Sequence, residues 1–382
     1  MLGHSEMTST GYDVVIVGAG IVGAACADAV SRAGLRVAVI EANHVGGGAT
    51  AAGMGHLVVM DDSEAQFALT HYSLALWHEL AAELPRDSEF DACGTIWVAA
   101  DDEEMAEVRR KQQFYQERGV PVEVLDARAL AEAEPNLRPG LVGGLRVASD
   151  GVIYPPCAAR FLIERAQASG ADLHLGRAVV ELTGQGVRLS DGSFIPAGLT
   201  VNAAGSWSPA LTPGLDVQKR KGHLVITDRY PGFVRHQLVE LGYLKSAHSL
   251  TTDSVAFNIQ PRRTGQVLVG SSRQYGVEEK QVDGLILRNM IERACAFMPG
   301  LAKLSAIRVW TGFRAATPDK LPLIGPCPER DRLYLATGHE GLGITTSLGT
   351  ARLLVDQLLG RPSEIPLEPY LPAHVRQEAT HA

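Results

Sequence analysis

The stretch YDVVIVGAGIVGAAC, residues Tyr12–Cys26, decides the fold. Its first part, Asp13–Val17, is a short β-branched apolar run that ends at a glycine, which is typical of a buried strand. Apolar residues at helical spacing then predict a helix over Gly20–Ala33, and Gly34 stands where helices commonly end. A second strand is predicted over Arg36–Ile40, so the order is strand, glycine turn, helix and strand.

Three glycines in the turn and an acidic residue after the second strand have the spacing of a dinucleotide-binding motif. Gly18 allows the tight turn, Gly20 lets the backbone approach a pyrophosphate, and Gly23 allows close contact between helix and strand. The helix N-terminus offers N–H donors and a positive dipole to the phosphates, and Glu41 can accept hydrogen bonds from a ribose diol. The motif predicts dinucleotide binding but leaves open whether the ligand is FAD or NAD.

The composition is that of an ordinary globular protein. The chain has 382 residues, of which 46% are hydrophobic and 20% charged, and this length favours two domains. A net charge of −8 without a basic tract argues against nucleic acid as a partner. Apolar runs are too short to span a bilayer and residues 1–11 are polar, so we expect a cytoplasmic protein without a transmembrane segment.

The polar and sulfur-containing residues exclude several other functions. The five cysteines are scattered without a CxxC pair, which argues against a zinc site, an iron–sulfur cluster or a redox dithiol in this chain, so we expect no metal. Cys26 lies on the inner face of the first predicted helix and is expected to be a small core residue. The sequence shows neither a Ser–His–Asp arrangement nor a carboxylate pair that would indicate a hydrolase.

Strand and helix patterns alternate along the rest of the chain. The segment GGGATAAGMGH, Gly46–His56, is built mostly from small residues, and we expect a loop that runs against the cofactor; a flexible surface loop is the alternative. Short strands are predicted from about residue 179 to 201, and antiparallel sheet from 221 to about 310. Apolar residues at helical spacing predict further helices over Ala65–Leu84, Glu103–Glu117, Leu285–Phe297 and Thr345–Leu359.

Several motifs in order give the chain a family resemblance. Beside the N-terminal glycine turn and its acidic residue stand VNAAGSW (Val201–Trp207), TGFRAATPDKLPLIG (Thr311–Gly325) and GHEGLG (Gly338–Gly343). With them the chain resembles the D-amino-acid oxidase superfamily of flavoproteins over nearly its whole length, and within it glycine oxidase, the sarcosine oxidase β-subunit and bacterial D-amino-acid dehydrogenases. The stretch AGMGHLVVMDD (Ala52–Asp62) is most similar to D-hydroxyproline dehydrogenase β-subunits.

The resemblance and a second glycine-rich helix start favour FAD over NAD. The isoalloxazine ring needs its own docking site, and the helix that follows Gly338–Gly343 can direct its N-terminus at flavin N1 and C2=O; a plain strand–turn–helix cap is the alternative. The chain has a single GxGxxG, so we expect the flavin to be reduced by substrate rather than by NADPH. No cysteine stands in TGFRAATPD, and His56 lies in a different context from the attachment site of relatives, so we predict non-covalent FAD.

The order of these elements, together with the resemblance, predicts an α/β fold (α+β overall) in which a Rossmann-like FAD-binding domain is interwoven with an antiparallel-sheet substrate domain. The FAD-binding domain is predicted to comprise residues 10–85, 150–215 and 320–375. The substrate domain is predicted to comprise residues 86–149 and 216–319, with flexible termini at 1–9 and 376–382.

The residues expected to contact FAD lie in the two glycine turns, in the small-residue segment and at a few positions between them. His339 and Thr345 can add hydrogen bonds to the ring, although a solvated loop histidine is the alternative for His339. The complete set is Gly18, Gly20, Ile21, Val22, Gly23, Glu41, Ala42, Gly48, Ala49, Thr50, Gly53, Gly55, His56, Val179, Ala204, Gly205, Trp207, Gly312, Arg314, Gly338, His339, Gly341, Gly343, Ile344 and Thr345.

Arg314 matches the arginine that binds the substrate carboxylate in the family. A guanidinium group can pair a carboxylate with two parallel charge-assisted hydrogen bonds and so fix the α-carbon over the flavin. A structural salt bridge to an acid such as Asp319 is the alternative. The family often has proline after this arginine, whereas this chain has Ala315, which loosens the local geometry slightly.

Five further residues are candidates for the substrate side of the site. Tyr243 and Tyr275 could close the pocket and bind the carboxylate, as tyrosines do in relatives, and Arg273 could face the substrate. His56 and His223 could line the flavin. For each of them a packing or surface role is the alternative.

The resemblance implies oxidation of an amino acid, with hydride transfer from Cα of a neutral amine to flavin N5. We expect a D-amino or secondary cyclic amino acid, D-hydroxyproline or D-proline, and an electron-accepting iron–sulfur subunit in a hetero-oligomer. The alternatives are a glycine- or sarcosine-type oxidase that uses O₂, an FAD-dependent 2-hydroxy-acid dehydrogenase, and a non-catalytic flavin-binding subunit of a complex.

Overall fold

The structure, a computed structural model, describes residues 11–242 and 253–372. Its strands are listed here in chain order. They are β1 (Tyr12–Val17), β2 (Val37–Glu41), β3 (His56–Leu57), β4 (Thr95–Ala99), β5 (Val122–Asp126), β6 (Gly143–Val147), β7 (Gly151–Val152), β8 (Asp172–Leu175), β9 (Val179–Thr183), β10 (Gly186–Leu189), β11 (Phe194–Asn202), β12 (Gln218–Arg229), β13 (Gln237–Glu240), β14 (Ser254–Pro261), β15 (Gln266–Arg273), β16 (Ala306–Ala316), β17 (Leu323–Pro326), β18 (Leu333–Thr337) and β19 (His339–Glu340).

The helices connect these strands and begin and end as their sequences indicate. Side chains of Ser63, Asp101 and Asp283 cap three of them by accepting backbone N–H groups, and the last helix ends at Gly360 with φ +62°. The helices are α1 (Ile21–Arg32), α2 (Gly48–Ala52), α3 (Glu64–Leu80), α4 (Asp102–Glu117), α5 (Ala127–Ala133), α6 (Pro155–Ala168), α7 (Ser208–Leu211), α8 (Gly284–Phe297) and α9 (Gly343–Leu359).

An eight-stranded sheet holds the N-terminal glycine motif. Along its main path the order is β17-β18-β11-β1-β2-β8, and β9 and β10 extend it as a hairpin on β11. β1 pairs in parallel with β11 and β2, as its continuous apolar sequence predicts for a central strand. One face of the sheet packs on α1, α6 and α9, and the other packs on β9 and β10. Cys26 is buried within the helical layer, as predicted.

A nine-stranded, mostly antiparallel sheet forms the other half of the fold. Its order is β19-β16-β12-β15-β14-β13-β4-β6-β5. α8 covers one face of β14 and β15, and apolar side chains such as Phe257 and Phe297 fill the layer between them. The strand β13 pairs in parallel with β4, so the region predicted as purely antiparallel contains one parallel pair. The predicted mixed α/β fold is confirmed.

Three local predictions need correction or qualification. The segment Gly46–His56 is not a loop, because its alanine-rich centre forms α2 and its end forms β3. The helix predicted over Ala65–Leu84 ends at Leu80, and residues 81–83 form a turn instead. β19 lies in the range assigned to the FAD-binding domain but pairs with β16 of the other sheet. The domain bounds stay a proposal.

A buried ion pair joins the chain after β3 to α4. Lys111 is fully buried and its ammonium group pairs with the buried carboxylate of Asp61. The same ammonium lies 4.4 Å from the ring centroid of Trp97 on β4. Asp150, also fully buried, accepts a hydrogen bond of 3.1 Å from the backbone N–H of Val59. These contacts fix the segment that leads from β3 to α3.

Candidate functional site

The N-terminal turn requires glycine at two positions for reasons of space. Gly18 has φ +104°, and a Cβ atom there would lie 2.7 Å from the backbone oxygen of Ala203. A Cβ atom on Gly23 would lie 2.0 Å from the backbone oxygen of Gly18, so α1 and β1 approach as closely as the motif predicts. Within 4 Å of a Cβ atom on Gly20 the structure places only Thr50 Oγ1, at 3.2 Å, and this hydroxyl oxygen accepts a hydrogen bond of 2.9 Å from the N–H of Ile21.

Glu41 stabilises this turn from the end of β2. Its Oε2 accepts a hydrogen bond of 2.8 Å from the N–H of Ala19, and its Oε1 accepts one of 2.8 Å from the N–H of Asn43. A carboxylate oxygen can accept two hydrogen bonds, so each oxygen has capacity for a ribose hydroxyl. Contact with the ribose stays a prediction.

Neighbouring protein atoms explain why α2 and the chain after it consist mostly of small residues. A Cβ atom on Gly312 of β16 would lie 2.2 Å from the Cβ of Ala52, so α2 packs directly on that strand. A Cβ atom on Gly53 would lie 2.7 Å from Ile344 Cδ1, at the start of α9. The small side chains therefore let α2 sit close to both β16 and α9, which brings three of the predicted cofactor-binding segments together.

The second glycine turn leads into α9 as predicted, but its polar side chains already have protein partners. His339 is buried, and its Nε2 lies 2.9 Å from Thr350 Oγ1 inside the protein. Burial lowers the pKa of His339 to about 3, so the ring is neutral. The alternative of a solvated histidine is therefore wrong. Thr345 Oγ1 donates a hydrogen bond of 2.8 Å to the backbone oxygen of His56.

Arg314 lies on β16, and its side chain crosses the neighbouring strand β12. A Cβ atom on Gly222 would lie 2.6 Å from Arg314 Nη1, so the absence of a side chain there makes room for the guanidinium. Arg314 Nη1 donates a hydrogen bond of 3.0 Å to the backbone oxygen of Ser272 on β15. Asp319, the alternative partner, accepts a hydrogen bond from the N–H of Leu321 in its own loop.

A second arginine lies directly opposite Arg314 and was missed in the sequence. Arg220 pairs with Arg314 in the register of β12 and β16, and it is buried. Its guanidinium forms an ion pair with Glu340 of β19 and lies 4.9 Å from the ring centroid of Tyr275. Glu340 thus compensates the charge of Arg220 beside Arg314, and it connects the second glycine turn to this sheet. Arg220 stands in a run of basic residues, so no sequence signal distinguishes it.

His56 on β3 lies beside Gln260 of β14 and Thr345 of α9, and its ring is neutral. Burial lowers the pKa of His56 to about 4; the positive charge of Arg314 lowers it further, while the neighbouring Gln260 side chain opposes the shift. Among the described residues, Nε2 of His56 is buried without a hydrogen-bond partner. The polar side chain next to this imidazole is that of Gln260.

Other predicted residues vary in how well their surroundings suit the proposed roles. His223 is buried, with Nδ1 3.0 Å from Ser272 Oγ and Nε2 accepting a hydrogen bond of 2.9 Å from the N–H of Asp283, so both nitrogens have protein partners. Arg273 is half-buried at the end of β15, and Tyr275 lies against Arg220. Tyr243 lies outside the described residues.

Three of the predicted FAD contacts lie nearer the proposed nucleotide end of the site. Val179 and Ala204 pack at the edge of the apolar cluster behind β1. Trp207 is 44% exposed, and a Cβ atom on Gly48 would lie 3.2 Å from its ring. Their contacts with FAD stay predictions.

Comparison with known proteins identifies the family. The sequence profile described as DAO, FAD dependent oxidoreductase, matches residues 13–357. The chain belongs to the DAO family. The resemblance read from the motifs is thereby confirmed, and FAD is the cofactor of this DAO-family chain. The open space beside Gly20 and the spare acceptor capacity of Glu41 fit such a ligand at the nucleotide end of the site.

Relatives of this DAO-family chain include glycine oxidases. The chain is 29% identical to glycine oxidase from Geobacillus kaustophilus, over 94% of this chain and 96% of that protein. It is 29% identical to hydrogen cyanide synthase subunit HcnC from Pseudomonas aeruginosa, over 96% of this chain and 97% of that protein. The crystal structure of the Geobacillus kaustophilus glycine oxidase superposes with a TM-score of 0.85 at 27% identity and covers 95% and 98% of the two chains. L-Proline dehydrogenase from P. horikoshii shares the fold, with a TM-score of 0.85 at 22% identity over 96% and 98% of the chains.

Among the helices of residues 11–242 and 253–372, none combines the length and the hydrophobicity of a membrane-spanning segment. The same residues contain no cluster of three or more His, Cys, Asp or Glu side chains that could hold a metal ion.

Proposed function

We propose that the chain oxidises a D-amino or secondary cyclic amino acid, D-hydroxyproline or D-proline, at its Cα–N bond. The observation that carries this proposal is Arg314, whose guanidinium is held beside Gly222 and Ser272 on the sheet that faces the second glycine turn. Arg220, its neighbour, is compensated by Glu340. A site with a positioned guanidinium favours a substrate that carries one carboxylate.

In this proposal, residues of the chain orient the substrate and keep the surroundings of its amine uncharged. Arg314 binds the carboxylate and so positions Cα, while the neutral ring of His56 adds no charge next to the amine. Oxidation removes two electrons and two protons from the Cα–H and N–H bonds and gives an imine. FAD, when bound, supplies the acceptor for the two electrons. An imine from a primary amine is hydrolysed, whereas a cyclic amine gives a stable pyrroline.

A glycine-type oxidase is the second candidate, because glycine oxidases are among the relatives at 29% identity over more than nine-tenths of the chain. An electron-accepting partner subunit is also a proposal; it is supported by relatives named as subunits of hydrogen cyanide synthase. Cytoplasmic location and non-covalent attachment of FAD likewise stay proposals. Acid precipitation of the holoprotein tests the attachment, because non-covalent FAD is released into the supernatant.

Anaerobic reduction of the bound flavin tests the proposed function. The purified holoprotein is mixed with D-, L- and N-methyl amino acids, cyclic amino acids and 2-hydroxy acids, and the loss of flavin absorbance is followed. We expect reduction by D-proline or 4-hydroxy-D-proline. Reduction by glycine and sarcosine alone favours the second candidate, and reduction by a 2-hydroxy acid alone refutes both. Admission of air then shows whether O₂ reoxidises the flavin or a partner is needed.

Variants of Arg314 test the residue assignment. Removing one partner of a buried charge pair costs about 2–5 kcal/mol, so Arg314→Met should lower the apparent affinity for the amino acid roughly 30-fold to several thousand-fold. The matched control is Arg288→Met, which removes an exposed arginine from α8, the helix on the other face of this sheet. Full activity of Arg314→Met in an assembled complex would instead indicate that this chain is a non-catalytic flavin-binding subunit.

A further inference from the structure

We infer that the buried carboxamides of Asn258 and Gln260 on β14 form a second recognition point, which accepts a hydrogen bond from a hydroxyl group of the substrate. This inference rests on the proposed oxidation of a cyclic amino acid at the same site. The two carboxamides would determine specificity together with Arg314. They lie on the same face of the sheet, on the other side of the area that the substrate would cover.

The register of the sheet places both side chains on the face that carries Arg314. Asn258 lies directly opposite Gly270 of β15. A Cβ atom on Gly270 would lie 2.9 Å from Met54 Sδ and 2.9 Å from Leu224 Cδ2, so this face looks toward the chain between α2 and β3. Leu224 stands on β12 two residues from Gly222, over which Arg314 extends, and alternate residues of a strand share a face.

Hydrogen bonding fixes the orientation of the Gln260 amide. Gln260 is fully buried, and its Nε2 donates a hydrogen bond of 2.7 Å to the backbone oxygen of Met54. Because a carbonyl can only accept, the nitrogen of the amide must point at Met54 and Oε1 must point elsewhere. Gln260 therefore presents an acceptor, and this assignment does not depend on an arbitrary choice of amide flip.

Two acceptors on this face have no hydrogen-bond partner in the part of the chain that the structure describes. They are Gln260 Oε1 and Asn258 Oδ1, and Asn258 is only 6% exposed. Buried polar atoms are nearly always paired, and an unpaired one costs about 1–3 kcal/mol. A ligand that donates hydrogen bonds would satisfy both atoms. The neutral imidazole of His56 interacts with the same Gln260 side chain, and a carboxamide oxygen can accept two hydrogen bonds, so Gln260 Oε1 keeps capacity for a ligand.

The surroundings of these acceptors select the kind of donor. Met54, Leu224 and Leu268 form an apolar cluster next to them, with Trp310 packed against it. An apolar surface suits the carbon skeleton of a ring, and carbonyl oxygens repel a second carboxylate. The site therefore fits an amino acid with one carboxylate, an apolar ring and a neutral hydroxyl group, and it disfavours dicarboxylic substrates.

The test compares 4-hydroxy-D-proline, as both ring epimers, with D-proline in anaerobic stopped-flow reduction of the holoprotein. We expect the wild type to bind one hydroxylated epimer about 10- to 100-fold more tightly than D-proline. Asn258→Leu and Gln260→Met should each remove most of that preference and change the dissociation constant of D-proline by less than about threefold. Comparing two substrates in one protein cancels any general loss of stability. Gln260→Met provides the measurement if Asn258→Leu fails to retain FAD.

The possible outcomes separate this inference from the proposed function. Equal affinity of the wild type for the hydroxylated and plain rings overturns the inference and leaves the proposed function intact. A parallel loss of affinity for both rings in the variants also overturns it, because the carboxamides would then bind the amine that both rings share. Reduction by none of the cyclic amino acids refutes the proposed function itself.

Discussion

Replacing Gly222 by alanine tests the position of the Arg314 guanidinium with a single methyl group. A Cβ atom on Gly222 would lie 2.6 Å from Arg314 Nη1, 3.0 Å from Nη2 and 3.1 Å from Cζ. Non-bonded contacts of carbon are favourable from about 3.5 Å, so the guanidinium must move roughly 1 Å away from β12. Gly222 is not among the residues with positive φ, so alanine leaves the strand backbone unstrained.

The displacement should weaken substrate binding in two ways. It breaks the 3.0 Å hydrogen bond from Arg314 Nη1 to the backbone oxygen of Ser272, and a hydrogen bond from a charged group contributes about 1.5–3 kcal/mol. It also moves the charge that binds the carboxylate, and a misplacement of about 1 Å can cost about 100-fold in rate. We expect kcat/KM for the amino acid to fall about 10- to 100-fold, mainly through KM.

The assay is steady-state oxidation with an artificial electron acceptor, together with a titration of the bound flavin with benzoate. Benzoate has a carboxylate but no amine, so its dissociation constant should rise by a factor similar to that of KM. The matched control is Gly184→Ala, since a Cβ atom there has no neighbour within 4 Å and Gly184 lacks a positive φ. Unchanged KM and unchanged benzoate binding in a Gly222→Ala protein that retains FAD would refute the assigned role of Arg314.

Three further predictions concern cofactor binding and stability. Gly23→Ala would place a Cβ atom 2.0 Å from the backbone oxygen of Gly18, so we expect a lower flavin-to-protein ratio after gel filtration; a ratio equal to wild type would contradict this. Lys111→Met removes the buried partner of the Asp61 carboxylate, which keeps its 3.0 Å contact with the half-exposed Arg110, and should lower the free energy of unfolding in urea by about 1–3 kcal/mol. Adding Asp61→Leu should restore most of that loss, and no recovery would argue against the ion pair as its cause. Burial raises the pKa of Asp150 to about 7, so its contribution to stability is full below pH ~4 and is lost as the pH rises to ~7. The Tm of Asp150→Asn relative to the Tm of the wild type should therefore rise between pH 5 and pH 8. A difference in Tm that does not change with pH would refute the raised pKa of Asp150.

The glycine turn and the helices could be predicted because short-range requirements determine them. Gly18 and Gly23 have no room for a Cβ atom, and the spacing of apolar residues along α1 and α9 follows the helical period. The single guanidinium in TGFRAATPD was likewise identified from its motif. These features depend on residues close in the chain, which a sequence displays directly.

The polar partners around Arg314 could not be predicted because they depend on strand register. Alternation shows which residues share a face of one strand, but it does not show which strands become neighbours. Arg220 faces Arg314 only because β12 pairs with β16, and Glu340 reaches Arg220 only because β19 joins the same sheet. Asn258 Oδ1 also depends on register. The residue opposite Asn258 is Gly270, which has no side chain that could donate a hydrogen bond to this oxygen.

The packing of α9 on α1 has a consequence for synthesis of the chain. About 310 residues separate the end of α1 at Arg32 from the start of α9 at Gly343. At about 5–20 residues per second, the ribosome needs roughly 15–60 s to make them. During that time the apolar surface of α1 that α9 will cover, including Val22, has no such partner. The nascent chain thus exposes this apolar surface for most of its translation, a state in which hydrophobic surface is prone to aggregation.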